Sequence, residues 1–276
     1  MTQRSISDTR QERLDAILEY LLADQDASAQ SLATRFGVSL MTAHRDLDEL
    51  QRRGIIRKFR GGVSVQRTST YEIAATLRRL VAVPQKRAIA AAAHQLVSPG
   101  QSVLLDDSTT AASMLDHLLD VEDLHIVTNY LPALSRIAAD GRSALTAIGG
   151  TYDVGHESFL GVAAAASIRG LRVDTVFFST SSADAHGTYH QEESIVAVKT
   201  EMIRSARRRV LLMDSSKLGG TSLHLVTDWS SIDHLVTDTA APADLLDTLR
   251  SRGVAVTVVD PEESSYQPFS SDEENL

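Results

Sequence analysis

Two groups of residues have types and spacings that could do chemistry. The first runs from Ser39 to Arg60. Its opening seven residues include Ser39, Met41, Thr42, His44 and Arg45, and Arg52, Arg53, Arg57, Lys58 and Arg60 follow. Hydroxyl and guanidinium groups suit phosphate oxygens, and an arginine can pair bidentately with guanine in the major groove. Residues 44 to 60 hold six bases and three acids, so the local field is positive. The second group is scattered. Asp106-Asp107-Ser108-Thr109-Thr110, Thr128-Asn129, Gly149-Gly150, Ser179-Thr180 and Asp214-Ser215-Ser216-Lys217 each follow a short apolar run. Hydroxyls and backbone N–H groups at a helix start can hold an anion. Paired glycines let a ligand approach the backbone, and a lysine there can hold phosphate or carboxylate.

Taken singly, these segments have plainer readings: a helix N-cap at Asp106–Thr110, turns at Thr128-Asn129 and Gly149-Gly150, a solvated Lys217. Convergence on one rim would make them a pocket, so the elements that carry them matter. Leu14, Ile17, Leu18 and Leu21 mark one face of a helix. Asp24 to Ala27 is a polar break. Ser28 can cap a second helix carrying Leu32 and Phe36, which Gly37 ends, and Ser39 can cap a third with Ala43, Leu47 and Leu50 on its apolar face. Two β-prone runs around Gly61-Gly62 then read as a hairpin. This is a winged helix-turn-helix over residues 1–65. Residues 66–83 read as a linker with one helical patch, Tyr71 to Leu80.

From Pro84 onward the pattern alternates. Apolar runs at Val103–Leu105, Ile126–Val127, Leu145–Ile148, Val176–Phe178, Val210–Met213, Leu235–Val236 and Val254–Val259 are separated mostly by helical stretches. Those stretches are Ala111–Leu119, Leu131–Ala139, Val162–Ile168, Ile195–Arg207 and Ala243–Arg252. Such runs predict a largely parallel sheet covered on both faces, an α/β domain over residues 84–260. Residues 261–276 hold five acids and no base, the composition of a disordered, solvated tail.

The 276 residues carry a net charge of −9, which speaks against DNA. The average conceals a division. Residues 1–70 carry 11 bases and 9 acids, and residues 71–276 carry 16 bases and 27 acids. The absence of cysteine excludes disulfides and thiolate sites. No apolar run approaches the roughly 18 residues of a membrane span, so the chain reads as soluble and cytoplasmic, with no membrane partner. His186 and His190 are four apart, but Gly187 and Thr188 between them point to a loop rather than a helical metal pair, and no metal or cofactor is expected. Trp229 reads as a packing residue, and Lys199 and Glu193 as pocket candidates.

These motifs resemble the DeoR family of bacterial transcription regulators. In the head the matching residues are Arg13, Ile17, Leu32, Ala33, Phe36-Gly37-Val38-Ser39, Thr42, Arg45-Asp46-Leu47, Leu50, Gly54-Ile55-Ile56-Arg57 and Gly61-Gly62. In the body they are Asp106 to Thr110, Val127-Thr128-Asn129, Gly149-Gly150, Gly161, Asp214 to Lys217 and Ile232 to Asp238. The likeness spans about residues 10–238, in family order. It implies an operator-binding protein, not an enzyme, most simply a repressor of a carbohydrate operon working as a homodimer or homotetramer. It implies DNA contacts from Ser39, Met41, Thr42, His44, Arg45, Arg57, Lys58 and Arg60. It also implies a sensor domain similar to ribose-5-phosphate isomerase, holding a phosphorylated sugar or related metabolite with Asp106–Thr110, Thr128, Asn129, Gly149, Gly150 and Lys217. An isomerase-like enzyme with an accessory winged helix is the alternative.

Three departures stand out. Ala43-His44 replaces the family's Ile-Arg. Ser108 replaces a glycine, at a cost if that position needs positive φ. Phe178 to Asp184 replaces a glycine-rich segment.

Overall fold

The computed structural model describes residues 10–24, 26–52, 56–59, 61–65, 75–79 and 81–262. The expectations for Arg53, Gly54, Ile55 and Arg60, for most of the linker and for residues 263–276 fall outside them.

The head follows its apolar spacing. Helix α1 (Arg10–Asp24) buries Leu14, Ile17, Leu18 and Leu21. They meet Leu32 of α2 (Ala29–Arg35) and Leu47 and Leu50 of α3 (Leu40–Arg52). Ser28 caps α2 by accepting from the Ser31 N–H. Gly37, at φ 64°, turns the chain into α3. The Thr42 N–H donates to Ser39 Oγ at 3.1 Å, so Ser39 caps α3. Asp46 is buried on α3 and accepts from Arg13 Nε on α1 at 2.6 Å, bracing the two helices.

The polar break at Asp24–Ala27 contains a strand, β1 (Asp26–Ala27). It pairs antiparallel with β3 (Gly62–Val65), which pairs with β2 (Ile56–Phe59), so the wing has three strands in the order β1-β3-β2. Two residues are too few to show alternation, which is why the sequence hides this strand. Beyond the wing come α4 (Ala75–Arg78), the described part of the expected 71–80 patch, and α5 (Val83–His94), with proline in its first turn.

The body is built on seven parallel strands. In chain order the remaining elements are β4 (Ser102–Leu105), α6 (Thr109–Ala112), α7 (Leu115–Leu118), β5 (His125–Thr128), α8 (Leu131–Asp140), β6 (Ala144–Ala147), β7 (Thr151–Asp153), β8 (Ser158–Leu160), α9 (Val162–Arg169), β9 (Val173–Phe178), β10 (Ser182–Ala183), β11 (Gly187–His190), α10 (Glu193–Ser205), β12 (Ala206–Leu212), β13 (His224–Asp228), β14 (His234–Asp238), α11 (Ala243–Ser251) and β15 (Ala255–Val259). The main sheet runs β15-β14-β12-β9-β4-β5-β6. Each expected apolar run lies on or beside one of these strands.

Successive side chains face opposite layers. Val103, Leu105, Phe177, Val210 and Leu212 join a core with α5 to α8, whereas Leu104, Val176, Phe178 and Leu211 join one with α9 to α11. No described helix is long and apolar enough to cross a membrane.

Three expectations change. Ala111–Leu119 is two short helices, because the Ser113 hydroxyl donates to the Thr109 carbonyl and the turns tighten to i→i−3 bonds at Ser113 and Met114. The 195–207 helix stops at Ser205 and passes directly into β12. Two small antiparallel units, β7-β8 and β10-β11-β13, sit on the connections. His190 therefore lies on a strand.

Arg13→Ala should lower head stability by about 2 kcal/mol, because among the described residues buried Asp46 would keep only Arg10 as an ion-pair partner, at 3.6 Å. Urea unfolding followed by hydrogen exchange in α3 measures this, and an unchanged midpoint would show that the brace contributes nothing.

Candidate functional site: a reading head and a switch-point crevice

On α3, Leu40, Met41, His44 and Arg45 are exposed, whereas Ala43 is fully buried. Met41 is 65% exposed, which is unusual for an apolar side chain and suited to a thymine methyl in the major groove. Arg57 is exposed on β2. The positive charge is less available than the base count suggests. Lys58 pairs with Asp48, lowering the Asp48 pKa, and Arg52 pairs with Glu49. Among the described residues, no ion pair engages Arg45 or Arg57. Thr42 and Ser39 share a 2.9 Å hydroxyl contact, so both are partly spent on the cap. Beside α3 lies a groove of about 460 Å³, lined by Arg10, Arg13, Arg45 and Arg52 as well as Asp46 and Asp48.

In the body the chain leaves β4 toward β5 and β6, then returns to the other side of β4 as β9. Loops after β4 and β9 diverge at that point, the position at which open α/β sheets form a ligand crevice at the carboxyl ends of their strands. Asp106 and Asp107 end β4, Ser179 ends β9, and Lys199 of α10 reaches between them. Lys199 Nζ donates to Asp106 Oδ2 at 2.5 Å and to Asp107 Oδ1 at 2.9 Å. All three are buried.

Asp106 also accepts from the Ser108 and Ser179 N–H groups at 3.0 and 2.9 Å. Asp107 accepts from Ser158 Oγ of β8 at 2.9 Å. Burial pushes the Asp107 carboxyl up, but Lys199 and His156 outweigh it and hold it near 2. Burial pushes Lys199 down, and the two aspartates outweigh that, so it stays an ammonium.

Ser108 is not strained. Its φ of −80° is an ordinary extended value, and its Oγ accepts from the Ala111 N–H at 3.1 Å as the cap of α6. The expected cost of replacing glycine does not arise. None of residues 179–184 has positive φ either. Asp184 instead shapes that turn, accepting from the His186 and Gly187 N–H groups, while its carbonyl accepts from Trp229 Nε1.

Thr109 and Thr110 are buried, and no partner meets Thr110 Oγ1 among the described residues. Thr128 Oγ1 accepts from the Tyr130 N–H, a local turn. Asn129 Nδ2 donates to the Phe159 carbonyl at 3.0 Å, which leaves Oδ1 buried without a partner among the described residues. Gly149 and Gly150 differ. A Cβ at Gly149 would meet nothing within 4 Å, whereas at Gly150, with φ 152°, it would lie 2.5 Å from the Leu160 carbonyl oxygen. Gly150 therefore serves the packing of β8, and only Gly149 leaves open space. Lys217 Nζ lies 3.5 Å from Ser179 Oγ. Its turn is held by Asp238, which accepts from the Ser215 N–H at 2.7 Å.

Lys86 and Lys199 show what the residue reading underweighted. Lys86 is buried on α5 and donates to the Arg78 carbonyl. Burial and then the neighbouring Lys217, with Arg78, push it down to about 7, against the pull of Asp214. The signal was a lysine in apolar spacing: Lys86 with Ile89, Ala90 and Ala93, and Lys199 with Ile195 and Met202. Glu193, by contrast, is exposed at the start of α10.

A family model described as the DeoR C terminal sensor domain matches residues 81–239, and one described as the DeoR-like helix-turn-helix domain matches residues 13–69. The chain belongs to the DeoR family. It is thus a DNA-binding transcriptional regulator whose body is a DeoR sensor domain. An uncharacterized HTH-type transcriptional regulator, YgbI of Escherichia coli (strain K12), is 32% identical over 231 residues, 84% of this chain and 91% of that one. The HTH-type transcriptional repressor GlcR of Bacillus subtilis (strain 168) is 29% identical, covering 92% and 98%. The transcriptional repressor AccR of Agrobacterium fabrum is 28% identical, covering 84% and 91%. A solved D-ribose-5-phosphate isomerase in complex with phospho-erythronic acid matches at 12% identity and TM-score 0.37, over 48% of this chain and 52% of that one, too weak a likeness to carry an argument.

Lys199→Met would leave two carboxylates buried side by side in this DeoR regulator. It should cost about 3–5 kcal/mol in urea unfolding of the body, and adding Asp107→Asn should recover much of the loss. The wild-type pair should also lose stability as pH falls from the ordinary carboxylate value of 3.8 through about 2. An unaffected midpoint in the single variant would sink the assignment of this pair as the anchor.

Proposed function

We propose that the chain represses a carbohydrate-metabolism operon, and that a phosphorylated sugar or related metabolite in the switch-point crevice controls it. The carrying observation is charge in the wrong place for an acidic body. Lys86 and Lys217 are close enough for the charge of one to act on the other. After the paired strands β4 and β5, Thr110 Oγ1 and Asn129 Oδ1 are buried oxygens without a hydrogen-bond partner among the described residues. Clustered cations suit a phosphate, and orphaned oxygens suit sugar hydroxyls, since a buried polar atom without a partner costs free energy. Asp106 and Asp107 act by shaping this site, with Ser108, Thr109 and Thr110 following them. The GlcR and AccR relatives, both named as repressors, support the sign of regulation.

The Lys199–Asp107 pair does not support the isomerase alternative. Lys199 and Asp107 are spent on each other, so neither is a free acid or base. At the operator, Ser39, Met41, Thr42, His44, Arg45, Arg57, Lys58 and Arg60 form the contact set, with Arg45 and Arg57 carrying the least compensated charge. Half-sites about 34 Å apart need two heads, hence a homodimer or homotetramer.

Arg45→Ala should abolish or greatly weaken binding to the chain's own upstream DNA while leaving the thermal shift given by sugar phosphates intact, and Lys217→Ala should do the reverse. Equal damage to both properties by both variants would sink this division of labour, and aldose–ketose turnover well above background would overturn the regulator-only reading. A second outcome concerns pH. Lys86 is protonated below about 7 and neutral above it, so the Lys86 contribution to anion affinity should fade as pH rises through 7. Titration calorimetry on wild type and Lys86→Met isolates it: the ratio of their affinities should shrink from pH 6 to pH 8.5.

A further inference from the structure

The linker segment next to the sensor domain docks on the crevice rather than on neutral surface. The Ala75 N–H donates to the Gly155 carbonyl at 2.8 Å, at the tip of the β7–β8 hairpin. Arg78 Nη2 lies 3.4 Å from His156 Nδ1 of the same tip. The Arg78 carbonyl accepts from Lys86 Nζ, and Thr109 Oγ1 approaches it at 3.5 Å. Arg79 pairs with Glu157 at 2.6 Å and donates to the Tyr130 hydroxyl at 3.2 Å. Tyr130 follows Asn129 in sequence, and Ser158 at the base of the hairpin donates to Asp107. Each of these partners belongs to the crevice or its hairpin rim. A ligand anion would therefore compete with a piece of the chain for the same donors.

We propose that the Arg78 carbonyl is a built-in placeholder for the effector, so that an anion recruiting Lys86 and Thr109 loosens residues 75–79, the segment through which the sensor domain meets the reading head. The proposal rests on the anion-binding reading of the crevice. It gives that reading a route to the DNA, because a ligand shifts an equilibrium only by preferring one of two states. Here the two states differ in who occupies the Lys86 ammonium. Linkage fixes the converse: weakening the docked state must tighten ligand binding. Arg79 serves the docked state alone, since its partners are Glu157 and Tyr130 and it belongs to neither binding set.

The test uses the full chain with inorganic phosphate as the probe and ribose 5-phosphate and fructose 1-phosphate as sugar-bearing arms. Binding is read by calorimetry, with Lys217→Ala as the control for site. Linker release is read by hydrogen exchange of the peptide covering residues 75–79. Saturating ligand should speed that exchange at least about 5-fold in wild type. Arg79→Ala should speed it without ligand and should raise ligand affinity by a similar factor. Binding that depends on Lys217 but leaves the exchange unchanged overturns the placeholder and spares the crevice reading. Arg79→Ala with unchanged or weaker ligand affinity overturns it as well. Failure of all three probes to bind overturns the anion-binding reading, and the placeholder with it.

Discussion

The body of this regulator is organised around one ammonium group. Lys199 comes from α10, Asp106 and Asp107 follow β4, and the three meet where the order of strand addition reverses. A crevice at a switch point is an opening, and an opening tends to close or to flood. Here two carboxylates are drawn into it and held by a buried cation, and their remaining lone pairs collect the Ser108 and Ser179 N–H groups and the Ser158 hydroxyl. The loops after β4 and β9 and the β7–β8 hairpin are thereby fixed to a single point. Such a group is costly to bury, and its return is geometry: it sets where Thr109, Thr110 and the hairpin tip must stand.

The head solves the same problem on a smaller scale. Asp46 sits inside a helical core of leucines and isoleucines and is matched by Arg13 from another helix. In both domains a buried aspartate adjoins a surface proposed to meet a charged ligand. The carboxylate fixes the angle of an element, and neighbouring residues carry out the recognition. Asp46 is flanked by the reading residue Arg45, and Asp106 and Asp107 precede the threonines of the crevice.

Much of this was legible in the residues. The seven apolar runs marked the sheet because strands buried on both faces must be apolar throughout, and the cap residues Ser28 and Ser39 marked α2 and α3. The polar strand ends marked the carboxyl edge of the sheet. What stayed hidden depended on pairs distant in sequence. Nothing local says that Lys199 lies between residues 92 and 93 positions earlier, or that Arg79 meets the Tyr130 hydroxyl 51 positions later. Glycine was the other source of error. Gly150 looked like room for a ligand and is room for the Leu160 carbonyl, whereas Ser108 stands where a glycine was expected and its backbone is ordinary. Short strands such as β1 and β10 carry too few residues to announce themselves.

The order of the wing strands, β1-β3-β2, has a separate consequence. Among the described residues it puts β2 at an edge with no strand on its outer side, a template onto which another chain could add. Arg57 and Lys58 occupy that edge, and Lys58 is anchored back to Asp48 on α3. Two adjacent cations make annealing of one wing against another unfavourable, because like charges would be brought strand to strand. The residues that suit a polyanion also keep the wing soluble as a small, isolated β-sheet.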